Sequence, residues 1–449
     1  VTLPRSARIG LGLVGASLIA ACAFPVGDDV DDVGQADDAL TVVSSFGSNP
    51  GNLRMNVYSP AGVAPGAALV LALHGCNQTA QDYVKAGWNQ LADQWKFHVV
   101  YPEQQTANHQ GRCFNWYDAN DTRRDAGEML SMRQMVATMV AQHGVDPARV
   151  FVTGLSAGGA MASSLLANYP DVFAGGAIMA GMPHRCATSS LDAFSCMSPG
   201  VDRTPAAWGD LVRQSFPGYN GPRPRVSIWH GTSDFTVAVR NLQESVDQWT
   251  NVHGIDAVAD ATSTVGNATR TEYRNAAGVT LVEAISIQGM GHGTAVDPGF
   301  APAGGCGSAG AFILDVDLCS SYHAGLFFGL DAGSGSGATT SSSSSSSTSA
   351  TTSSSSSATS GSGGSGGAGG SGGAGGSGGA GGSGGSPATC EAFYDSNYNH
   401  VGTGRAVRCG LGNSYVCALG SNQNLGLYTM MSTWIRRTAP NYYEAGQCP

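Results

Sequence analysis

The sequence predicts a three-layer α/β domain, a flexible tether and a small disulfide-bonded module, and three observations carry that reading. From about residue 47 to residue 332, apolar runs of strand length alternate with segments of helical periodicity. Residues 333–387 hold only Gly, Ser, Thr and Ala before a terminal Pro387, without one charged or aromatic side chain. Residues 388–449 regain both kinds and carry Cys390, Cys409, Cys417 and Cys448.

In the first block, Ala68–Leu73, His98–Tyr101, Val150–Thr153, Val226–Trp229 and Val282–Ile287 read as buried strands. Several are almost continuously apolar, as strands of a parallel sheet covered on both faces must be. Between them, Met129, Met132, Met135, Val136, Met139 and Val140 recur at helical spacing from about Ala126 to His143. That stripe reads as core packing.

The chain starts with Arg5 and Arg8 ahead of an apolar run, Ile9–Ala21, which reads as an export signal over residues 1–22. Two cleavage readings stand side by side. Ile19-Ala20-Ala21-Cys22 resembles a lipoprotein box, which would put a lipid anchor on Cys22 and the protein at an outer membrane, whereas Ala21-Cys22-Ala23 fits ordinary cleavage and free secretion. An acidic spacer, residues 23–46, follows and holds Asp28, Asp29, Asp31, Asp32, Asp37 and Asp38. No later apolar stretch has the length of a membrane span. With 22 basic against 32 acidic residues and no basic stripe, a nucleic-acid partner is not expected.

Of the 11 cysteines, setting Cys22 aside leaves six in the first block (Cys76, Cys113, Cys186, Cys196, Cys306, Cys319) and four in the last. Three plus two disulfides are expected, with connectivity open, in an oxidising compartment. No Cys-x-x-Cys or close Cys/His cluster suggests a metal site.

The chemistry enters at Val150–Gly159, where a buried strand runs through Gly154-Leu155-Ser156-Ala157-Gly158 into a helical stretch, Ala160–Tyr169. That context is a nucleophile elbow with Ser156 exposed above the sheet. An elbow serine needs an acid and then a histidine, later in the chain and at strand ends. Asp234 follows strand Val226–Trp229 in His230-Gly231-Thr232-Ser233-Asp234, and His292 follows strand Val282–Ile287 in Gly289-Met290-Gly291-His292-Gly293. Upstream, His74-Gly75-Cys76 ends strand Ala68–Leu73. The backbone amides of Cys76 and Ala157 are therefore the expected oxyanion hole, with His74 bracing the loop.

These segments, with Tyr101-Pro102-Glu103-Gln104-Gln105, Cys113-Phe114-Asn115-Trp116 and Gly291-His292-Gly293-Thr294, resemble the extracellular poly(3-hydroxybutyrate) depolymerase family of esterases, which includes feruloyl and acetylxylan esterases. The resemblance covers roughly residues 47–330. It implies an α/β-hydrolase fold, the triad Ser156, Asp234 and His292, secretion, and no metal or other cofactor. It leaves three substrates open: bacterial polyester first, then ferulate or acetyl esters of plant polysaccharide. A non-catalytic polymer-binding or adhesion protein is a second class, which the complete Ser/Asp/His set opposes.

Residues 388–449 resemble a small module that follows some of these esterases, through Ser396-Asn397-Tyr398-Asn399-His400-Val401 and Gly420–Tyr428. Its aromatic residues make an insoluble ester polymer the expected partner, with Tyr398, Tyr428 and Trp434 as candidate contacts. The tether has a root-mean-square span of roughly 40 Å.

Overall fold

The computed structural model describes residues 39–332, 390–409, 415–421, 423–427, 432–439, 442–446 and 448. The export signal, Cys22, most of the acidic spacer and the tether lie outside the described residues.

The first block is built on one ten-stranded sheet. Its strands are β1 (Thr41–Val43), β2 (Arg54–Tyr58), β3 (Leu69–Leu73), β4 (His98–Glu103), β5 (Val150–Leu155), β6 (Gly175–Met179), β7 (Arg225–Gly231), β8 (Ala261–Val265), β9 (Ala268–Arg274) and β10 (Thr280–Ile287). The spatial order is β1-β2-β4-β3-β5-β6-β7-β10-β9-β8. The six strands from β4 to β10 are parallel, and antiparallel pairs close both edges. A short parallel pair, β11 (Thr294–Val296) and β12 (Ile313–Asp315), follows.

Period-two alternation divides the core. Leu69, Leu71, Leu73, Val150 and Val152 face one apolar layer, while Val70, Ala72 and Phe151 face the other. The helices are α1 (Ala80–Val84), α2 (Trp88–Trp95), α3 (Ala119–Thr122), α4 (Gly127–His143), α5 (Ala157–Asn168), α6 (Ser190–Met197), α7 (Pro205–Arg213), α8 (Arg240–His253) and α9 (Ser320–Phe328). Met129, Met132, Met135 and Met139 of α4 are fully buried in the first layer, which makes that stripe core packing. On the opposite layer Phe151 stacks on Phe328 of α9 at 4.7 Å between centroids. Helix α4 ends where Gly144 turns left-handed, with φ 66°.

The structure extends the sequence reading in three places. Strand β1 pairs with β2, and Phe46 is buried, so the sheet begins inside the segment read as spacer. Strand β6, Gly175-Gly176-Ala177-Ile178-Met179, carries too little β propensity to stand out. A Cβ on Gly176 would lie 2.8 Å from Leu166 and Val152 O, so the close approach of α5 requires a small residue there. The β8–β9 hairpin is half-exposed and polar, and no apolar run marks it.

The six cysteines of the first block pair as Cys76–Cys113, Cys186–Cys196 and Cys306–Cys319. In the C-terminal region Cys390 pairs with Cys448, and Cys417 is also disulfide-bonded.

That region contains β13 (Glu391–Ser396), α10 (Asn397–Gly402), β14 (Ala406–Cys409), β15 (Tyr415–Ala418), β16 (Asn424–Leu427), β17 (Ser432–Ala439) and β18 (Tyr442–Ala445). Two three-stranded sheets, β13-β17-β18 and β14-β15-β16, share a core of Ala406, Val416, Ala418, Leu425 and Ile435. So few buried side chains cannot offset much chain entropy, which is why a bond between the first strand and the end of the module matters.

Candidate active site

Ser156 sits between β5 and α5 at φ 57° and ψ −116°, a conformation that costs energy for any residue with a Cβ. The chain reverses so tightly that a side chain on Gly154 would collide with Gly158 O, and one on Gly158 with the carbonyls of Leu73 and His74. The two glycines are thus steric requirements of the turn. Ser156 N–H donates to Met179 O at 2.9 Å, which fastens the elbow to β6. The residue is only 9% exposed, less open than the sequence reading expects.

Asp234 and His292 arrive from the ends of β7 and β10, which are parallel neighbours. Their loops are sewn together: Thr232 N–H donates to Ile287 O at 2.9 Å and Ser233 N–H to Met290 O at 3.0 Å. A Cβ on Gly231 would strike Met290 O, so glycine permits this approach. Asp234 Oδ1 accepts the amides of Thr236 and Val237, each at 2.9 Å. Its Oδ2 accepts His292 Nδ1–H at 2.7 Å. Burial alone would raise the Asp234 pKa, but His292 and His230 beside it hold the carboxyl below its ordinary range. With Nδ1 engaged, Nε2 of His292 is the nitrogen left for a proton transfer. Ser156 stands at the same edge of the sheet, without a direct hydrogen bond to His292 in this structure.

His74 braces the loop after β3. Its Nδ1–H donates to Gly75 O at 2.7 Å and its Nε2 accepts the Gln104 amide at 3.0 Å. Burial pushes His74 down to about 4, so the ring is neutral at neutral pH, as the accepting nitrogen demands. The Cys76–Cys113 disulfide and the Asn77 N–H to Gly111 O bond at 2.7 Å hold the loop from its other side. Among the described residues, no acceptor is bonded to the amide of Cys76 or of Ala157, and the Ala157 amide is an N-terminal orphan of α5.

Three supporting residues escape the sequence reading. Gln78 accepts Gly75 N–H and donates to Ala311 O, each at 2.7 Å, tying the His-Gly loop to the segment whose Phe312 ring lies 5.9 Å from that of His292. Gln104 hydrogen-bonds Glu128, and Glu128 also accepts Asn115 N–H at 3.1 Å. Burial raises the Glu128 pKa well above the usual range, and nearby Asp121 adds to the effect. The segments Tyr101–Gln105 and Cys113–Trp116 signalled the region, but not which side chains meet.

A cavity of about 280 Å³ lined in part by Arg225, Trp229, Arg270, Glu283 and His323 includes none of these residues. Among the described residues no group of three or more His, Cys, Asp or Glu could hold a metal ion. Nor is any described helix long and apolar enough to cross a membrane.

Of the candidate polymer contacts, Trp434 lies on β17 and is 39% exposed. It pairs across the sheet with Tyr394, 61% exposed, at 5.0 Å between ring centroids. Tyr428 and the side chain of Tyr398 lie outside the described residues.

A mostly parallel sheet carrying a strained Gly-x-Ser-x-Gly elbow, an Asp–His pair and a braced His-Gly loop defines an α/β-hydrolase of the esterase class. Residues 53–275 match the family model described as esterase PHB depolymerase. The chain is 57% identical over 292 residues to poly(3-hydroxyalkanoate) depolymerase C of Paucimonas lemoignei, a match covering 65% of this chain and 70% of that protein. It is 41% identical over 263 residues to an acetylxylan esterase of Coprinopsis cinerea, covering 57% and 69%. With feruloyl esterase B of Talaromyces stipitatus the identity is 33% over 263 residues, covering 57% and 72%. Among solved structures, the acetyl xylan esterase from Aspergillus awamori superposes with a TM-score of 0.56 at 26% identity, over 65% of this chain and 99% of that one. The protein belongs to the PHB depolymerase family of esterases and is a carboxylic-ester hydrolase.

Proposed function

We propose that this protein is a secreted depolymerase of an aliphatic polyester, most directly a polyhydroxyalkanoate, acting through an acyl-enzyme on Ser156. The observation that carries the mechanism is the 2.7 Å bond from His292 Nδ1–H to Asp234 Oδ2, which leaves Nε2 to take the Ser156 proton. Ser156 Oγ attacks the ester carbonyl, and the oxyanion is received by the amides of Cys76 and Ala157, each such donor being worth about 3 kcal/mol. The imidazolium then protonates the leaving alkoxide. Water, deprotonated by the same ring, hydrolyses the acyl-enzyme and restores Ser156.

The polyester assignment is supported by the higher identity to the polyhydroxyalkanoate depolymerase, 57% against 41% and 33% for the acetylxylan and feruloyl esterases. Residues 388–449 serve as a polymer-binding module, and the 333–387 tether keeps the esterase near the solid by effective concentration. The apolar run behind Arg5 and Arg8 directs export.

Products released by purified protein from polyhydroxybutyrate film, acetylated xylan and methyl ferulate test the reading. Release of hydroxyalkanoate at a rate above both other activities is expected. Release only from xylan or ferulate overturns the substrate, and full activity in folded Ser156→Ala overturns the mechanism.

A further inference from the structure

The cavity of about 280 Å³ stands apart from the triad. Period-two alternation turns Arg225, Ser227 and Trp229 of β7 to one face of the sheet, where Ser227 and Trp229 register with Glu283 and Ile285 of β10. Arg270 of β9 registers with Ile285 from the other side, and His323, Leu326 and Phe327 of α9 complete the wall. Asp234 and His292 lie past the far ends of β7 and β10.

The charges at this wall do not balance. Glu283 is buried and both its oxygens are taken: Oε1 accepts Ser227 Oγ–H and Oε2 accepts Arg270 Nε–H, each at 2.6 Å. Arg270 also pairs with Glu272 at 3.0 Å, and Arg274 holds Glu272 at 2.7 Å. Three guanidiniums therefore meet two carboxylates, and Arg225 is the one left over. Among the described residues its guanidinium has no ion pair and donates only to Phe327 O, lying 4.3 Å from the Phe327 ring centre. A guanidinium carries five donors, so most of this fork has no protein acceptor. His323 lines the same space and, among the described residues, has ring neighbours but no hydrogen bond. Burial pushes it down to about 4, so the ring is neutral and can donate or accept.

The geometry points to a second binding site, whose ligand is a short aliphatic hydroxycarboxylate held by Arg225 and His323. The fork of Arg225 takes the carboxylate, His323 the hydroxyl, and Val265, Ile285 and Leu326 the hydrocarbon. One guanidinium in excess matches one negative charge, and Glu283 close by repels a dianion. At about 280 Å³ the space is at the small end for a ligand site, which suits a short acid and not a polymer chain. Binding here does not depend on which ester the triad cleaves. Under the depolymerase reading the occupant is the acid that the reaction releases.

The test is calorimetric titration of full-length protein with 3-hydroxybutyrate, its uncharged amide and inorganic phosphate. Wild type should bind 3-hydroxybutyrate saturably, and the amide and phosphate at least about tenfold more weakly. Arg225→Gln removes the fork, and Leu326→Trp fills the cavity while leaving every charge in place. Each should weaken 3-hydroxybutyrate binding about tenfold or more, with turnover of a soluble short-chain ester within about twofold of wild type. That turnover reports folding, and Leu326→Trp decides the matter alone if Arg225→Gln does not fold. Absence of 3-hydroxybutyrate binding to wild type overturns the site. So does wild-type binding by folded Leu326→Trp or Arg225→Gln, which would put the acid elsewhere, or phosphate or amide binding as tight as that of the acid.

Discussion

His230 Nε2 lies 3.4 Å from the same Oδ2 of Asp234 that accepts the His292 proton at 2.7 Å, and 2.8 Å from Val237 O. One buried carboxylate oxygen is thus shared by two histidines, while its twin is held by two backbone amides. Asp234 has no freedom to rotate away, and His292 has one orientation in which its Nδ1–H is satisfied.

Asp234→Asn should therefore keep the fold and lower kcat on a soluble ester by about 10³–10⁴-fold, because an amide can present an N–H to Nδ1 and impose the wrong tautomer. Combined with Ser156→Ala the loss should be no larger than for Ser156→Ala alone. Steady-state kinetics of the three variants check this, and an additive double mutant would argue against a shared unit.

Stability should fall as pH drops from about 6.5 to about 4. His74, His98, His253 and His323 are pushed from 6.5 to about 4, and His184 to about 3, chiefly by burial. In that window the unfolded chain binds protons that the folded one refuses, so unfolding is favoured as pH falls. Asp121, Glu128 and Glu283, raised by burial, act in the opposite sense, but three carboxyls do not offset five imidazoles. Thermal midpoints at pH 7.5, 5.5 and 4.5 should decrease in that order, and a flat series contradicts the assignment.

Replacing Cys76 and Cys113 together by serine should cost about 2–4 kcal/mol of stability in denaturant titration. Since Cys76 lends its amide to the proposed oxyanion hole, kcat should drop more than KM rises. A variant with lowered stability and unaltered kcat would detach the disulfide from catalysis.

Tyr394→Ala/Trp434→Ala should reduce adsorption of full-length Ser156→Ala protein to polyester film severalfold, because two exposed rings, 5.0 Å apart and tilted 37° to each other, offer an apolar contact patch. Turnover of a soluble ester by the same pair of substitutions in the active protein should not change. Adsorption isotherms decide it, and wild-type binding would remove the pair from the interface.

Much of the candidate site was legible because each part is local. A buried strand feeding Gly154-Leu155-Ser156-Ala157-Gly158 has few other uses, and Asp234 and His292 each follow an apolar strand by a few residues. What joins them is a parallel sheet, whose strand order no local pattern encodes. The supporting side chains were hidden for the same reason: Gln104 and Glu128 meet across 24 positions, and Gln78 reaches Ala311 across 233.

Likewise the polar β8–β9 hairpin and glycine-rich β6 owe their conformation to neighbouring strands and to the pressure of α5, not to their own propensity. By itself the sequence determined which segments could be strand, elbow and tether, because hydrophobic period, glycine and composition act within a few residues. Only the tertiary structure decided that Asp234 bonds His292, that Tyr394 partners Trp434, and that Ser156 lies buried. Each of those facts depends on contacts between residues far apart in the chain, formed when the two apolar layers close on the ten-stranded sheet or, for Tyr394 and Trp434, when β13 pairs with β17.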